Sequence, residues 1–252
     1  ITLTHGETNP AITAEGVEYR ALGVSDPELL WDPHRNQWLL FFTATSEAGN
    51  RSIGRATIDE EGVVSVRSQP VLDPKTYGLT HLAAPSVVWA PLDTLLMVAR
   101  TDLDGTTRLR VFNSNADPNG NAGIDWREEF ASPELEARTT RTPENPSTGF
   151  AADEIGSAGL VIQNKAYHLY VEGRRGARWS IGILASDDLE HWREPREGEA
   201  VLGKGNGFDS LGLRSPDAIF LDGQVTLLYE GLSNGGSSLG FAQRVATAAT
   251  AP

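Results

Sequence analysis

A short pattern returns four times along this chain, and its spacing restricts the fold more than any other feature. The copies read Ser25-Asp26-Pro27-Glu28-Leu29-Leu30-Trp31, Ala83-Ala84-Pro85-Ser86-Val87-Val88-Trp89, Gly156-Ser157-Ala158-Gly159-Leu160-Val161-Ile162 and Arg214-Ser215-Pro216-Asp217-Ala218-Ile219-Phe220. Their aligned third residues, Pro27, Pro85, Ala158 and Pro216, lie 58, 73 and 58 positions apart. Self-similarity at such a period signals an array of like units, each burying an apolar face on its neighbour.

Each unit continues in the same order. A second apolar strand is expected at Trp38 to Thr43, Leu95 to Ala99, Tyr167 to Val171 and Val225 to Tyr229. A third follows at Ser52-Ile53-Gly54-Arg55-Ala56, Ser180-Ile181-Gly182-Ile183-Leu184 and Ser238-Leu239-Gly240-Phe241-Ala242, with a weaker version from Thr107 to Phe112. A turn then leads to a fourth strand, carrying Trp in Ile124-Asp125-Trp126-Arg127 and Glu190-His191-Trp192-Arg193 and lacking it in Val63 to Arg67. Short strands, regular turn residues and no long helical period define an all-β chain. Four antiparallel strands per repeated unit is the pattern of a β-propeller blade.

Four blades are visible, over about 22–75, 80–135, 153–203 and 212–246 plus 1–13, in a single domain spanning 1–252. The last unit runs into a small-residue tail after its third strand, while the segment from Ile1 to Ile12 reads as a fourth strand without its first three. Ring closure by the N-terminal strand would remove both open sheet edges. A fifth blade, outside this chain, is the alternative. The stretches Asn113 to Gly123 and Ser132 to Gly149 read as excursions from the second blade.

Composition removes several function classes. The net charge of −13 opposes nucleic-acid binding, which needs a basic surface. No apolar run approaches a membrane span. With no cysteine there is no disulfide, thiol catalysis or zinc–thiolate site. The five histidines lack metal-ligand spacing. No cofactor is expected; an axial calcium has oxygen ligands at hand, but nothing in the sequence demands it. Asp102-Leu103-Asp104-Gly105 begins like a calcium loop and reads as a hairpin turn. The chain starts at Ile1 and its sole methionine is Met97, from which a processed or trimmed chain and an extracytoplasmic location are expected.

The Asp-Pro opening, the aromatic and aliphatic second strand, the Ile-Gly third strand and the Trp-bearing fourth strand together resemble the propeller repeats of glycoside hydrolase family 43 and its relatives in families 32 and 68. They are similar, too, to secreted bacterial propeller-repeat proteins without assigned activity. The resemblance covers almost the whole chain, although family members usually have five blades. It implies three carboxylates around an axial funnel: a base Asp before one blade's Pro, an Asp that tunes the acid after the next blade's Pro, and an acid Glu two positions before the third blade's. Asp26 matches the base; the other two positions hold Ser86 and Gly156, with Glu154 two residues upstream of the latter. Glycoside hydrolysis normally needs two carboxyl groups, so this set is degenerate.

Other side chains offer substitutes. Aligned second strands place Thr43, Ala99, Glu172 and Glu230 in one column and Ala44, Arg100, Gly173 and Gly231 in the next. Asp26, Glu172, Glu230 and Glu154 are therefore the candidate catalytic carboxylates. His81, Ser86, Arg100, Arg214 and Asp217 are candidate substrate-binding groups, with Glu28 placed like Asp217 just after a Pro. The competing reading is that these charges pair internally and tie blades together. Asp26 also reads as a turn residue. Trp31, Trp89 and Phe220 read as packing groups, and Trp179, beyond Arg174-Arg175-Gly176-Ala177-Arg178, as an exposed stacking residue. Two functions follow: a carbohydrate-recognising, glycosidase-like propeller whose activity, where present, is of furanosidase or xylosidase type, or a non-catalytic structural or assembly propeller binding partner proteins.

Overall fold

The computed structural model describes residues 12–14, 17–103, 105–115, 122–130, 135, 149–195 and 199–243. The chain divides into two compact units, Ile1–Ala131 and Ser132–Pro252. In the first unit, β1 (Gly23–Asp32), β2 (Gln37–Thr45), β3 (Arg51–Ile58) and β4 (Val64–Val66) form one antiparallel sheet in chain order. The second sheet is β5 (His81–Ala90), β6 (Thr94–Leu103), β7 (Thr106–Asn115) and β8 (Arg127–Phe130). In the second unit, β9 (Glu154–Gln163), β10 (Ala166–Arg175) and β11 (Arg178–Ser186) form a three-stranded sheet, as do β12 (Gly212–Leu221), β13 (Gln224–Ser233) and β14 (Gly236–Gln243). The four sheets coincide with the four repeats, and Asp102 and Leu103 pair with Thr107 and Thr106 at the end of the β6–β7 hairpin. The proposed closing strand from Ile1 falls mostly outside the described residues; Ile12, with Tyr19, packs on Phe42, Ala44 and Ala56 of the first sheet.

Strand alternation puts one face of each sheet into a shared core. In the first unit Leu39, Phe41 and Ile53 pack with Leu82, Val87, Leu95 and Met97. In the second, Val161 packs with Ala218, Val225 and Leu227. Burying each such side chain contributes about 1.5–3 kcal/mol.

The repeated Pro does not open a strand. It sits inside a ten-residue strand, at a bulge: Ser25 pairs with Thr43 but Glu28 with Phe41, and the register slips in the same way between Ala83 and Ser86 and between Arg214 and Asp217. Proline has no N–H to give the ladder, so pairing breaks there. The residue before each Pro takes a left-handed conformation, with φ of 49° at Asp26, 49° at Ala84 and 48° at Ser215. The third repeat tests this explanation. Ala158 retains its N–H, stays paired with Val171, and the bulge moves back to Gly156-Ser157 opposite Glu172.

Two expectations need correction. The Trp-marked fourth strand of the third repeat is only a single bridge, Ala185 to Arg193. The amides of Glu190 and His191 are taken by Asp188 Oδ1, at 3.0 and 2.8 Å, so the segment turns and cannot extend a ladder. Trp192 is nevertheless buried, its indole donating to Leu189 O at 2.9 Å. Among the three supposed packing aromatics, Trp31 and Trp89 are half-buried and linked, Trp89 Nε1 donating to Trp31 O at 2.7 Å, whereas Phe220 is exposed.

The glycine of the Ile-Gly motif has a steric cause. A Cβ on Gly54 would lie 2.3 Å from the Phe42 ring, on Gly182 2.1 Å from Phe150, and on Gly240 2.6 Å from Phe208. Three of the four third strands thus offer a bare backbone on which an aromatic ring lies; β7 has Arg110 at the equivalent place. Phe150 and Phe208 reach these seats from the segment eight residues ahead of Ala158 and Pro216, and Tyr19 and Tyr77 precede Pro27 and Pro85 by the same interval. Replacing Gly182 by Ala should overpack this seat and destabilise the chain by about 1–3 kcal/mol. The exposed Gly203, with nothing near its Cβ position, should accept Ala within about 0.5 kcal/mol. Urea titrations of both variants check this.

Candidate functional site

In the first unit, the residues around the bulges join the two sheets. Thr43 Oγ1 accepts the Ala84 N–H at 2.9 Å, and Glu28 Oε1 accepts the Val87 N–H at 2.8 Å and the Ser86 hydroxyl at 3.4 Å. His81 Nδ1 accepts the Arg51 N–H at 3.3 Å. His81 and Ser86, expected to bind substrate, therefore work as ties, and Ser86 is buried. Asp26 is exposed, held by a 3.1 Å hydrogen bond from Ser25 Oγ. Arg100 pairs with Ala83 and Leu109. The observed registers correct its alignment: Phe41, Val98, Tyr170 and Leu228 are equivalent, so Arg100, not Ala99, shares a column with Thr43, Glu172 and Glu230. Aligning by hydrophobicity alone misplaced it by one residue.

The second unit gathers the remaining charges. Glu172 is only 1% exposed, and its carboxylate is saturated. Oε1 accepts from Arg214 Nε at 3.0 Å, while Oε2 accepts from the Ser157 hydroxyl at 2.9 Å and the Ser215 N–H at 3.0 Å. The carboxylate occupies the space above Gly156, where a Cβ would lie 2.6 Å from Glu172 Cδ. Any acid grown from position 156 would displace it. Glu172 thus accepts the amide before Pro216 as Thr43 accepts the amide before Pro85, with a charge in place of a hydroxyl.

That charge organises its neighbours. The Arg214 guanidinium lies 5.1 Å from the Trp179 ring centroid, and the Arg174 guanidinium 5.7 Å from the same ring. Arg174 Nε is held by Glu154 Oε2 at 3.0 Å and its Nη1 by Gly176 O at 3.1 Å. Asp153 accepts the Gly176 N–H and fixes the hairpin turn. Glu230 stands opposite Arg214 in the ladder. Burial by itself would lower the Arg214 pKa, but Glu172, and more distantly Glu230 and Glu154, outweigh it and raise the value. Four sequence candidates, Glu154, Glu172, Arg214 and Glu230, thus converge. The Arg174–Trp179 partnership was missed; the signal was available, because the two residues are symmetric about the Gly176-Ala177 turn and pair across the hairpin. Asp217 is the first paired residue after the bulge, where burial pushes its carboxyl up against a weaker opposing hydrogen bond from the Ala218 backbone. Among the described residues no three carboxylates or imidazoles converge as metal ligands, and no helix is long and apolar enough to cross a membrane.

Glu172→Ala should cost about 1–3 kcal/mol, since it strands the Ser215 amide and Ser157 hydroxyl while Arg214 still reaches water; Glu172→Gln should cost less. Chemical denaturation of both variants measures this. Asp217 has the opposite sign. Its folded-state pKa lies above the unfolded value, so its charged form is a burden at neutral pH that is relieved as pH falls through the raised pKa towards 3.8. Asp217→Asn should therefore raise Tm at pH 7, with the advantage shrinking on acidification in a pH series of melts.

No family model and no curated protein sequence matches this chain. Solved structures do match, with low sequence identity. A glycosyl hydrolase from Bacteroides ovatus superimposes with a TM-score of 0.62 at 17% identity, over 87% of this chain and 66% of that one. A structure from the GH130 family of mannoside phosphorylases, described as containing glycoside hydrolases that target β-1,2-mannosidic linkages in Candida mannan, gives 0.61 at 16% identity, over 87% and 66%. A thermostable family-43 glycoside hydrolase gives 0.61 at 16%, over 88% and 68%. The chain thus spans about two thirds of the length of these structures, and what it shares with them is the all-β fold of antiparallel sheets.

Proposed function

We propose that the chain is a carbohydrate-recognising domain on a glycosidase-type propeller, with its sugar site at the Glu154–Arg174–Trp179–Arg214–Glu230 cluster and without the full hydrolytic carboxylate set. The observation that carries this reading is one indole fixing two guanidinium groups, each locked through its Nε by a carboxylate. The Arg174 and Arg214 side chains remain 35% and 40% exposed, and that of Glu154 32%. Fixed donors beside fixed acceptors are what a polyhydroxylated ligand needs, because little side-chain entropy is lost on binding. The glycosidase-like fold of the matched structures supports the same class of ligand, and an extracytoplasmic location fits a role on external glycans.

Inherited hydrolysis is disfavoured by the same geometry. Position 86 is a buried serine bound to Glu28, and position 156 has its side-chain space filled by an engaged Glu172. Asp26 alone retains the place and exposure of a base, whereas glycosidic hydrolysis normally uses two carboxyl groups. A second reading, partner-protein assembly, draws on the face of the fourth sheet, where Leu239 is 79% and Phe241 70% exposed.

A glycan array and a glycosidase screen of wild type, Trp179→Ala and Asp26→Ala separate these readings. The expected result is glycan binding by wild type, weakened roughly 10- to 100-fold in Trp179→Ala, as for loss of a hot-spot group of about 1.4–2.8 kcal/mol, and unchanged in Asp26→Ala. Turnover that disappears in Asp26→Ala would establish a hydrolase instead. Absence of binding to any glycan would favour the assembly reading.

A further inference from the structure

We infer that the first unit holds a binding site for a tetrahedral oxyanion, sulfate or phosphate, centred on Arg55 and independent of the carbohydrate site. Arg55 pairs with Phe41 on β3. The equivalent residues of the other three sheets, opposite Val98, Tyr170 and Leu228, are Val111, Ile183 and Phe241. A position that is apolar in three repeats therefore carries a guanidinium in the fourth. That side chain is only 4% exposed. Its Nε has no hydrogen-bond partner, and no carboxylate lies within ion-pair distance among the described residues. A buried guanidinium with no ion pair among the described residues is among the more costly features a fold can contain, and a counter-charge would relieve that cost.

The surroundings make the partner an anion from outside. Arg67 is the next residue across the sheet, its N–H donating to Arg55 O at 3.1 Å. Burial above all, then the field of Arg67 and more weakly that of Arg35, depresses the Arg55 pKa to about 10, with Asp32 opposing them. Asp32 is already committed: Oδ1 accepts the His34 N–H at 3.1 Å and Oδ2 the Gln37 side-chain amide at 3.2 Å. Arg55 and Arg67, opposite each other across the sheet and near only one engaged carboxylate, concentrate positive charge in a chain of net charge −13. The planar fork of Arg suits an oxyanion, donating two parallel N–H bonds to it.

The test compares wild type with Arg55→Met, which restores an apolar side chain of similar reach, in sodium sulfate, sodium phosphate and sodium chloride at matched ionic strength. Wild type should show a saturable Tm rise in sulfate or phosphate over chloride, roughly 5–10 °C when the anion is about a hundredfold above its dissociation constant. Arg55→Met should melt higher than wild type in chloride and lose the anion-specific rise. An equal rise in both proteins, or none in wild type, overturns the proposal. Should Arg55→Met fail to fold, calorimetric titration of Arg67→Gln with the same anions decides: a several-fold loss of affinity supports the site, and unchanged affinity overturns it. Parallel titration with a sugar sulfate and a sugar phosphate separates a free ion from an ester, since tighter binding of an ester assigns the anion to a larger ligand.

Discussion

Each unit depends on one backbone amide at the joint between its two sheets. The bulge at the Pro forces the preceding residue into a left-handed conformation that is unfavourable for Ala84 and Ser215, a strain of about 1–3 kcal/mol each. The conformation also turns that residue's N–H away from its own sheet. In both units a side chain of the preceding sheet takes it: Thr43 for Ala84 and Glu172 for Ser215. The bond therefore fixes the strained residue and the mating of two sheets together. Close backbone contact adds to it. Glu28 accepts the Val87 amide in the first unit, while in the second the equivalent Gly159 lets the chain approach so nearly that a Cβ would lie 2.6 Å from Ala218 N. The same junction is made once by a side chain and once by the absence of one.

The period and strand order, and the strand count of the first two repeats, were legible because the hydrophobic pattern must repeat wherever a sheet buries one face. The bulge was not, since Pro at a strand opening and Pro inside a strand look alike in sequence. The third repeat held the clue, because an Ala there allows the pairing that Pro forbids. The aromatic eight residues ahead of each repeat was also readable and was passed over, as it lies in a segment with no strand pattern of its own. Its meaning emerges only with the bare glycine seats at Gly182 and Gly240. Arg100 shows the limit of alignment by apolar character: Ala99 and Arg100 both fit until hydrogen-bonded partners set the register. Arg55 was invisible for a related reason, since Ser52-Ile53-Gly54 matches Ser180-Ile181-Gly182 and the resemblance of the motif hid the charge that follows it.

The candidate site was half legible. Position in the repeat identified Glu172, Glu230 and Arg214 as neighbours, but not which oxygen would be engaged by which donor. Charge reading treated each carboxylate as a free acid or base. The geometry assigns Glu172 to three donors and leaves Asp26 exposed, so the two residues differ in chemistry although sequence reasoning placed them in one set.

The contrast between Thr43 and Glu172 explains why a charged cluster grows in one unit and not at the matching place in the other. Either side chain can accept an amide, and for that task the hydroxyl is sufficient, contributing about 0.5–1.5 kcal/mol net. A carboxylate in the same buried position makes a stronger bond but brings a charge that must be neutralised. Arg214 supplies the neutralisation, and its planar head then needs a surface to lie against, which Trp179 provides. The indole in turn orients Arg174, and Arg174 draws in Glu154. A single exchange of hydroxyl for carboxylate at a structural joint thus carries with it a chain of ordered, partly exposed donors and acceptors. The ordered cluster is the consequence of satisfying a buried charge, and its chemistry is set by what that charge required.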